Sequence, residues 1–115
     1  MNDPTLDDWR WVEIMLIQAL IGAISDNIRQ VALCYKNKTW CVDVVIAEEN
    51  QEDREEVADV ADQLGILLDD IVDRISNPAY ANVTSEVHVS KSTLSFTQSQ
   101  SQRLIFRRKE TTRPN

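Results

Sequence analysis

Glycine is scarce in this chain: 115 residues contain two, Gly22 and Gly65, and both fall inside helical patterns. A loop that cradles phosphate needs several glycines at close spacing, so a nucleotide-handling enzyme has no support. Histidine occurs once and cysteine twice. His88, Cys34 and Cys41 match no zinc pattern, and neither a metal nor a cofactor is expected. Long apolar runs are missing too. The most apolar block, residues 11–24, is interrupted by Gln18 and Gly22 and flanked by Glu13 and Asp26, which suits a buried helix better than a membrane span. Basic residues are outnumbered by acidic ones, twelve to nineteen, for a formal charge of −7. Binding nucleic-acid phosphates draws on clustered Lys and Arg, so no direct nucleic-acid binding is expected. The opening Met1-Asn2-Asp3-Pro4 has neither the basic start nor the small-residue cleavage site of a secretory signal, and the expected location is the cytoplasm.

What the chain does have is a balance of 43% hydrophobic and 27% charged residues, enough to bury one core and too short for two. The expectation is a single domain over 1–115, frayed at 1–4 and 111–115. Its charge is polarised. Between Asp43 and Arg74 twelve acids face two arginines, a balance of −10, whereas between Lys91 and Arg113 six basic residues face one acid, a balance of +5.

Thr5 is placed to cap a first helix over residues 6–24, with Asp7 and Asp8 in its first turn, where carboxylates suit the helix dipole. Trp9, Val12, Leu16, Ala19 and Ala23 form its apolar stripe. Ile14, Met15, Ile17 and Ile21 widen that stripe beyond one face, so the helix is either central to the core or covers a second surface, such as another subunit of a homodimer. Two alternating runs follow, joined at Asn37-Lys38. The register pairs Lys36 with Thr39, Tyr35 with Trp40 and Cys34 with Cys41, a hairpin closed by a two-residue turn. A second helix spans residues 51–75, with Val57, Ala61, Leu64, Leu68, Ile71 and Ile75 on its inner stripe. Two further strands are expected, "VTSEVHVS" and "RLIFRRKE", with residues 91–102 as a flexible hairpin connection. The order α-β-β-α-β-β predicts an α+β fold, two helices packed on one face of a four-stranded antiparallel sheet. Its open face would carry Ala32, Cys34, Cys41, Asp43, Glu86, His88, Arg103 and Arg107.

Chemistry is thinly signalled. Cys34 and Cys41 read as reduced neighbours in a cytosolic sheet. His88 with Glu86 beside it could in principle serve a general base, but a solvated strand histidine is far commoner, and no catalytic residue is assigned. The acidic run on the second helix is harder to dismiss as a solvated face. Glu52/Glu56, Glu55/Asp59 and Asp69/Asp73 place like charges four residues apart, which weakens a helix. Solubility or a basic protein partner drawn in by electrostatic steering would account for it. The candidate binding residues are therefore Glu52, Asp53, Glu55, Glu56, Asp59 and Asp62.

The stretches "LIGAISDNIRQVAL", "NQEDREEVADVADQL" and "RLIFRRKE", together with the hairpin after the first, resemble small bacterial immunity proteins grouped with contact-dependent growth inhibition systems. That resemblance implies a cytoplasmic, non-enzymatic antitoxin that binds and neutralises a toxin domain delivered by a neighbouring cell, with many such toxins being basic nucleases. It carries over no fixed set of binding residues, and the Ser/Gln-rich stretch at 92–102 has no counterpart in it. The alternative is a small acidic non-enzymatic adaptor or secretion chaperone whose wide apolar first helix binds an unfolded partner or forms a dimer.

Overall fold

A computed structural model describes residues 3–74, 82–97, 99 and 101–110. Helix α1 (Leu6–Leu20) starts at Thr5 through a capping box. Asp8 N–H donates to Thr5 Oγ1 at 3.1 Å, and Thr5 N–H donates to Asp8 Oδ2 at 3.0 Å, satisfying two amides that the first helical turn leaves without partners. It ends four residues earlier than the apolar spacing predicts. Gly22 takes φ +83 just beyond the Ile21 cap, a left-handed conformation that glycine adopts without a Cβ clash.

Strands β1 (Ile28–Lys36) and β2 (Thr39–Ile46) form the expected hairpin. The register is the predicted one, Tyr35 opposite Trp40 and Cys34 opposite Cys41. Asn37 and Lys38 both have positive φ, 54 and 61, the signature of the turn type whose twist matches the flanking strands. Helix α2 (Gln51–Asp70) is capped by Asn50, whose Oδ1 accepts from Asp53 N–H at 2.9 Å, and passes through Ile71 into a 3-10 turn, Val72–Arg74. The predicted extension to Ile75 lies outside the described residues. Strands β3 (Val83–Val89) and β4 (Gln102–Arg107) complete a sheet of order β3-β2-β1-β4.

The antiparallel expectation is corrected here. β1 is antiparallel to both β2 and β4, but β3 runs parallel to β2, so the sheet is mixed. Length explains it. Twenty helical residues rise about 30 Å, and the eight residues of β2 extend about 26 Å. Helix α2 therefore returns the chain to the starting end of β2, and β3 sets out in the same direction. Nor are β3 and β4 a hairpin, since they occupy opposite edges. The connection, residues 90–101, holds an isolated bridge between Ser99 and Gln102 but no helix or longer strand among its described residues.

The α1 and α2 helices pack on one face of the sheet and share one core with it. Trp9, Val12 and Leu16 come from α1, Val57, Val60, Leu64 and Leu68 from α2, and Val31, Leu33, Trp40, Val42, Val44 and Ile46 from the hairpin. Trp40, 0% exposed, meets the Trp9 ring edge to face at 4.8 Å and the Tyr35 ring at 4.9 Å. Pairs of this kind add about 0.5–1.5 kcal/mol beyond burial.

Irregularities in two strands reset side-chain phase. On β4 the register shifts between Leu104 and Phe106, so Ile105 and Phe106 both pack against the core. Arg103, expected on the open face, instead pairs with Leu33 on the helix side and stacks over Trp9 at 4.6 Å. Leu104, which alternation with an outward Arg103 and Arg107 would put inward, takes the place opposite Ala32. On β1 the extra residue is Arg29, 4% exposed. Its Nε and Nη2 each donate to Glu110 at 2.7 Å, and its Nη1 donates to the Ser90 carbonyl at 2.6 Å. One guanidinium thus joins β1 to the end of β3 and to the chain beyond β4.

Two stability effects are expected. A Cβ at Gly65 would meet nothing within 4 Å, so Gly65→Ala should stabilise the fold by about 0.5–1 kcal/mol, read as a higher urea midpoint. The Arg29 hydrogen bonds, reinforced by Arg108, bring the Glu110 carboxyl down from 4.5 to about 2. A depressed carboxylate contributes stability above its ordinary pKa and loses it as pH falls through the folded value. Glu110→Gln should therefore be less stable than the parent at pH 7, with the gap closing between pH 4.5 and about 2 in urea titrations.

Candidate functional site

Five of the six acids singled out on α2, namely Glu52, Glu55, Glu56, Asp59 and Asp62, are exposed. Asp53 is not. It is 8% exposed, with Oδ1 accepting from Ser25 Oγ at 2.9 Å and Oδ2 from Asn27 Nδ2 at 2.8 Å. Both oxygens hold the α1–β1 connection against the start of α2. The periodicity that separated inner from outer residues put Asp53 with the acids. In the fold it lies on the same side as Val57, Val60 and Leu64, one turn ahead of them.

The exposed acids receive little compensation from their own helix. Within Gln51–Asp70 the one cation is Arg54, and its Nη2 is held by Glu49 at 2.7 Å, outside the helix. Lys91 pairs with Glu48 at 3.1 Å, ahead of α2, and three C-terminal arginines are engaged elsewhere. Arg103 stacks on Trp9, Arg107 Nη2 donates to Gln30 Oε1 at 2.6 Å, and Arg108 donates to the Asp26 carbonyl and to Glu110. The exposed acids of α2, Glu52, Glu55, Glu56, Asp59, Asp62, Asp69 and Asp70, thus leave its surface negative. A carboxylate field of this kind draws in cations and basic protein surfaces over the distance that salt allows.

On the opposite side of the sheet, the open face brings together Asp43, Glu86 and His88. Asp43 and Glu86 are paired across β2 and β3, and His88 lies two residues further along, on the same face by strand alternation. His88 Nε2 is 3.0 Å from Asp43 Oδ1 and 3.6 Å from Glu86 Oε2. Burial raises the Asp43 carboxyl pKa, an effect that the neighbouring His88 opposes. One donor atom from each residue lies within 4.8 Å of the others. This trio can exchange a proton or offer three donors to a divalent cation. Sequence spacing shows Glu86 and His88 on one face. It puts Asp43 on that face too, but not beside them, because the parallel β2–β3 pairing that sets Asp43 opposite Glu86 was not anticipated.

Cys34 and Cys41 are free thiols on that same face. Burial pushes Cys34 up to about 11, with Asp43, Cys41 and Glu86 adding to the effect, and burial raises Cys41 as well. Their thiolates are therefore rare at neutral pH, the opposite of what a nucleophile or metal ligand needs. Moving a thiol from 9.0 to about 11 cuts its thiolate fraction about a hundredfold, and the higher intrinsic nucleophilicity recovers about tenfold of that. Cys34 should thus react with iodoacetamide at pH 7.5 about tenfold more slowly than an unperturbed peptide cysteine, and Cys34→Ser with Cys41→Ser should leave partner binding intact. Alkylation at the free-peptide rate would show an activated thiol.

Among the described residues no helix is long and apolar enough to cross a membrane. Comparison with curated proteins gives no match. Residues 9–110, which take in α1 from Trp9 onward, all of α2 and all four strands, match the MafI2 immunity protein family. Immunity proteins act by binding a cognate toxin, and an acidic helix face on a fold with no activated thiol accords with that; the chain belongs to the MafI2 immunity protein family.

Proposed function

We propose that this chain is a cytoplasmic antitoxin that neutralises a basic toxin domain by binding it, and that the toxin is a nuclease delivered by contact-dependent growth inhibition. The observation that carries the reading is the exposed acidic face of α2, where Glu52, Glu55, Glu56, Asp59 and Asp62 stand with no cation of their own helix free to offset them. Beyond Glu52 in the first turn, helix formation gains nothing from this pattern, and neighbouring like charges weaken it. A nuclease has to present Lys and Arg to hold phosphates. A protein carrying a dense carboxylate surface competes for those same groups, so inhibition follows from charge matching and needs no chemistry in the inhibitor.

A second reading, a small acidic adaptor or secretion chaperone, draws on the apolar outer side of α1. The two differ in the partner's state. An antitoxin binds a folded toxin domain, whereas a chaperone of this kind prefers an unfolded chain.

Charge acts mainly on the rate of encounter. An immunity gene is expected to follow its toxin gene, and reversing Glu52, Glu55, Glu56 and Asp59 to Lys should slow association with the toxin domain encoded upstream by about tenfold or more at low salt, and should flatten its salt dependence. Stopped-flow binding at low and moderate ionic strength, with circular dichroism to confirm the fold, measures this. An unchanged association rate would return the acids to the role of a solvated helix face.

A further inference from the structure

Steering brings partners together, but the lifetime of a complex depends on a few large side chains buried at its centre. If the chain is an antitoxin, its surface has to supply them. The large hydrophobic residues left exposed are Leu6, Ile14, Ile17, Ile21, Ile24, Ile66 and Val89 among the described ones. Four of the seven belong to a single strip. At 100° per residue, Leu6, Ile14, Ile17 and Ile21 fall within an arc of about 80° on α1 and its cap, well away from the side of Trp9, Val12 and Leu16. Arg10 stands among them. Ile14 and Ile17 are each 53% exposed and Ile21 is 79% exposed.

Single exposed apolar residues are ordinary. This strip is different for two reasons. Isoleucine is a poor choice for a solvated helix position, since its branched Cβ restricts χ1 and lowers helix propensity. The strip also runs into the acidic face. A groove between the end of α1 and α2 is lined by Gln18, Ile21 and Gly22 on one side and by Glu56, Asp59 and Gln63 on the other. Ile66 in turn lies among the acids, within about 40° of Glu55, Asp59 and Asp62 on the α2 surface. The outer side of the two-helix layer therefore has an apolar part on α1 that is continuous with a carboxylate part on α2, the division between desolvated centre and charged rim found in protein interfaces.

We propose that the toxin docks on this outer helical layer, with Ile14, Ile17 and Ile21 as the apolar anchor and Glu52, Glu56 and Asp59 as the rim, and that the complementary toxin surface is an apolar patch ringed by Lys and Arg. The inference rests on the antitoxin reading and adds the surface to it. It also assigns different kinetic roles to the two parts, the acids setting arrival and the isoleucines setting departure.

The test is Ile14→Asp with Ile17→Asp, measured by surface plasmon resonance against the toxin domain encoded upstream. Both substitutions add negative charge, so a surface that works by charge alone would bind as fast or faster and hold as long. The anchor requires that association be unchanged or faster while dissociation rises about a hundredfold. A milder variant, Ile17→Ser, should raise dissociation about tenfold and protects the experiment against misfolding of the double variant. Dissociation unchanged in both variants, with wild type bound, overturns the surface and leaves the antitoxin reading in place. A parent chain that fails to bind the toxin domain overturns both. Light scattering of the isolated chain supplies the remaining arm: a dimeric parent made monomeric by Ile14→Asp with Ile17→Asp would assign the strip to a second copy and overturn the proposal.

Discussion

Trp40 is the contact on which the arrangement of this fold depends. It comes from β2, is fully buried, and touches Trp9 of α1 and Tyr35 of β1, while Arg103 of β4 stacks over the Trp9 ring. Three strands and the first helix are thereby positioned around one pair of indoles. The second helix is placed by the aliphatic stripe of Val57, Val60, Leu64 and Leu68 against the same core. Once both helices occupy that side, everything they do not bury becomes the outer surface, and the chemistry of the molecule divides between that layer and the open sheet.

The division is unequal. The open face holds thiols kept protonated by burial and a histidine held between two carboxylates. The helical layer holds the unbalanced charge. Four of the arginines are tied into the fold, Arg29 and Arg108 on Glu110, Arg103 on Trp9 and Arg107 on Gln30. Using cations for internal structure while leaving anions on one helix produces a polarised surface at no cost in additional residues. For a member of an immunity protein family, membership of which implies binding a cognate toxin, that polarity is the feature on which the proposed docking rests.

Local features were legible wherever neighbouring residues decide them. The Thr5 cap, the Asn37-Lys38 turn, the Tyr35–Trp40 and Cys34–Cys41 pairs and the inner stripe of α2 follow from spacing and from intrinsic conformational preference. So did five of the exposed acids. Asp53 was misplaced because a carboxylate in a first helical turn is ordinarily solvated; here Ser25 and Asn27, more than twenty residues away in the chain, turn to meet it. Gly22 was read as part of a helix because composition does not show which glycine will take a positive φ.

What the sequence determined by itself, then, is the set of elements, their inner and outer faces and the excess of negative charge, because these depend on contacts within a few residues. Only the tertiary structure decided how the elements meet. Alternation in Val83–Val89 is the same whether the strand pairs parallel or antiparallel, and it was the reach of α2 back along β2 that selected parallel. The register shift in β4 likewise depends on what the strand pairs with, and it turned Arg103 to the core and Leu104 to the open face. Continuity between the isoleucine strip of α1 and the acids of α2 has the same origin. Each helix carries its half in its own sequence, but the two halves become one surface only when both helices pack side by side on the same sheet.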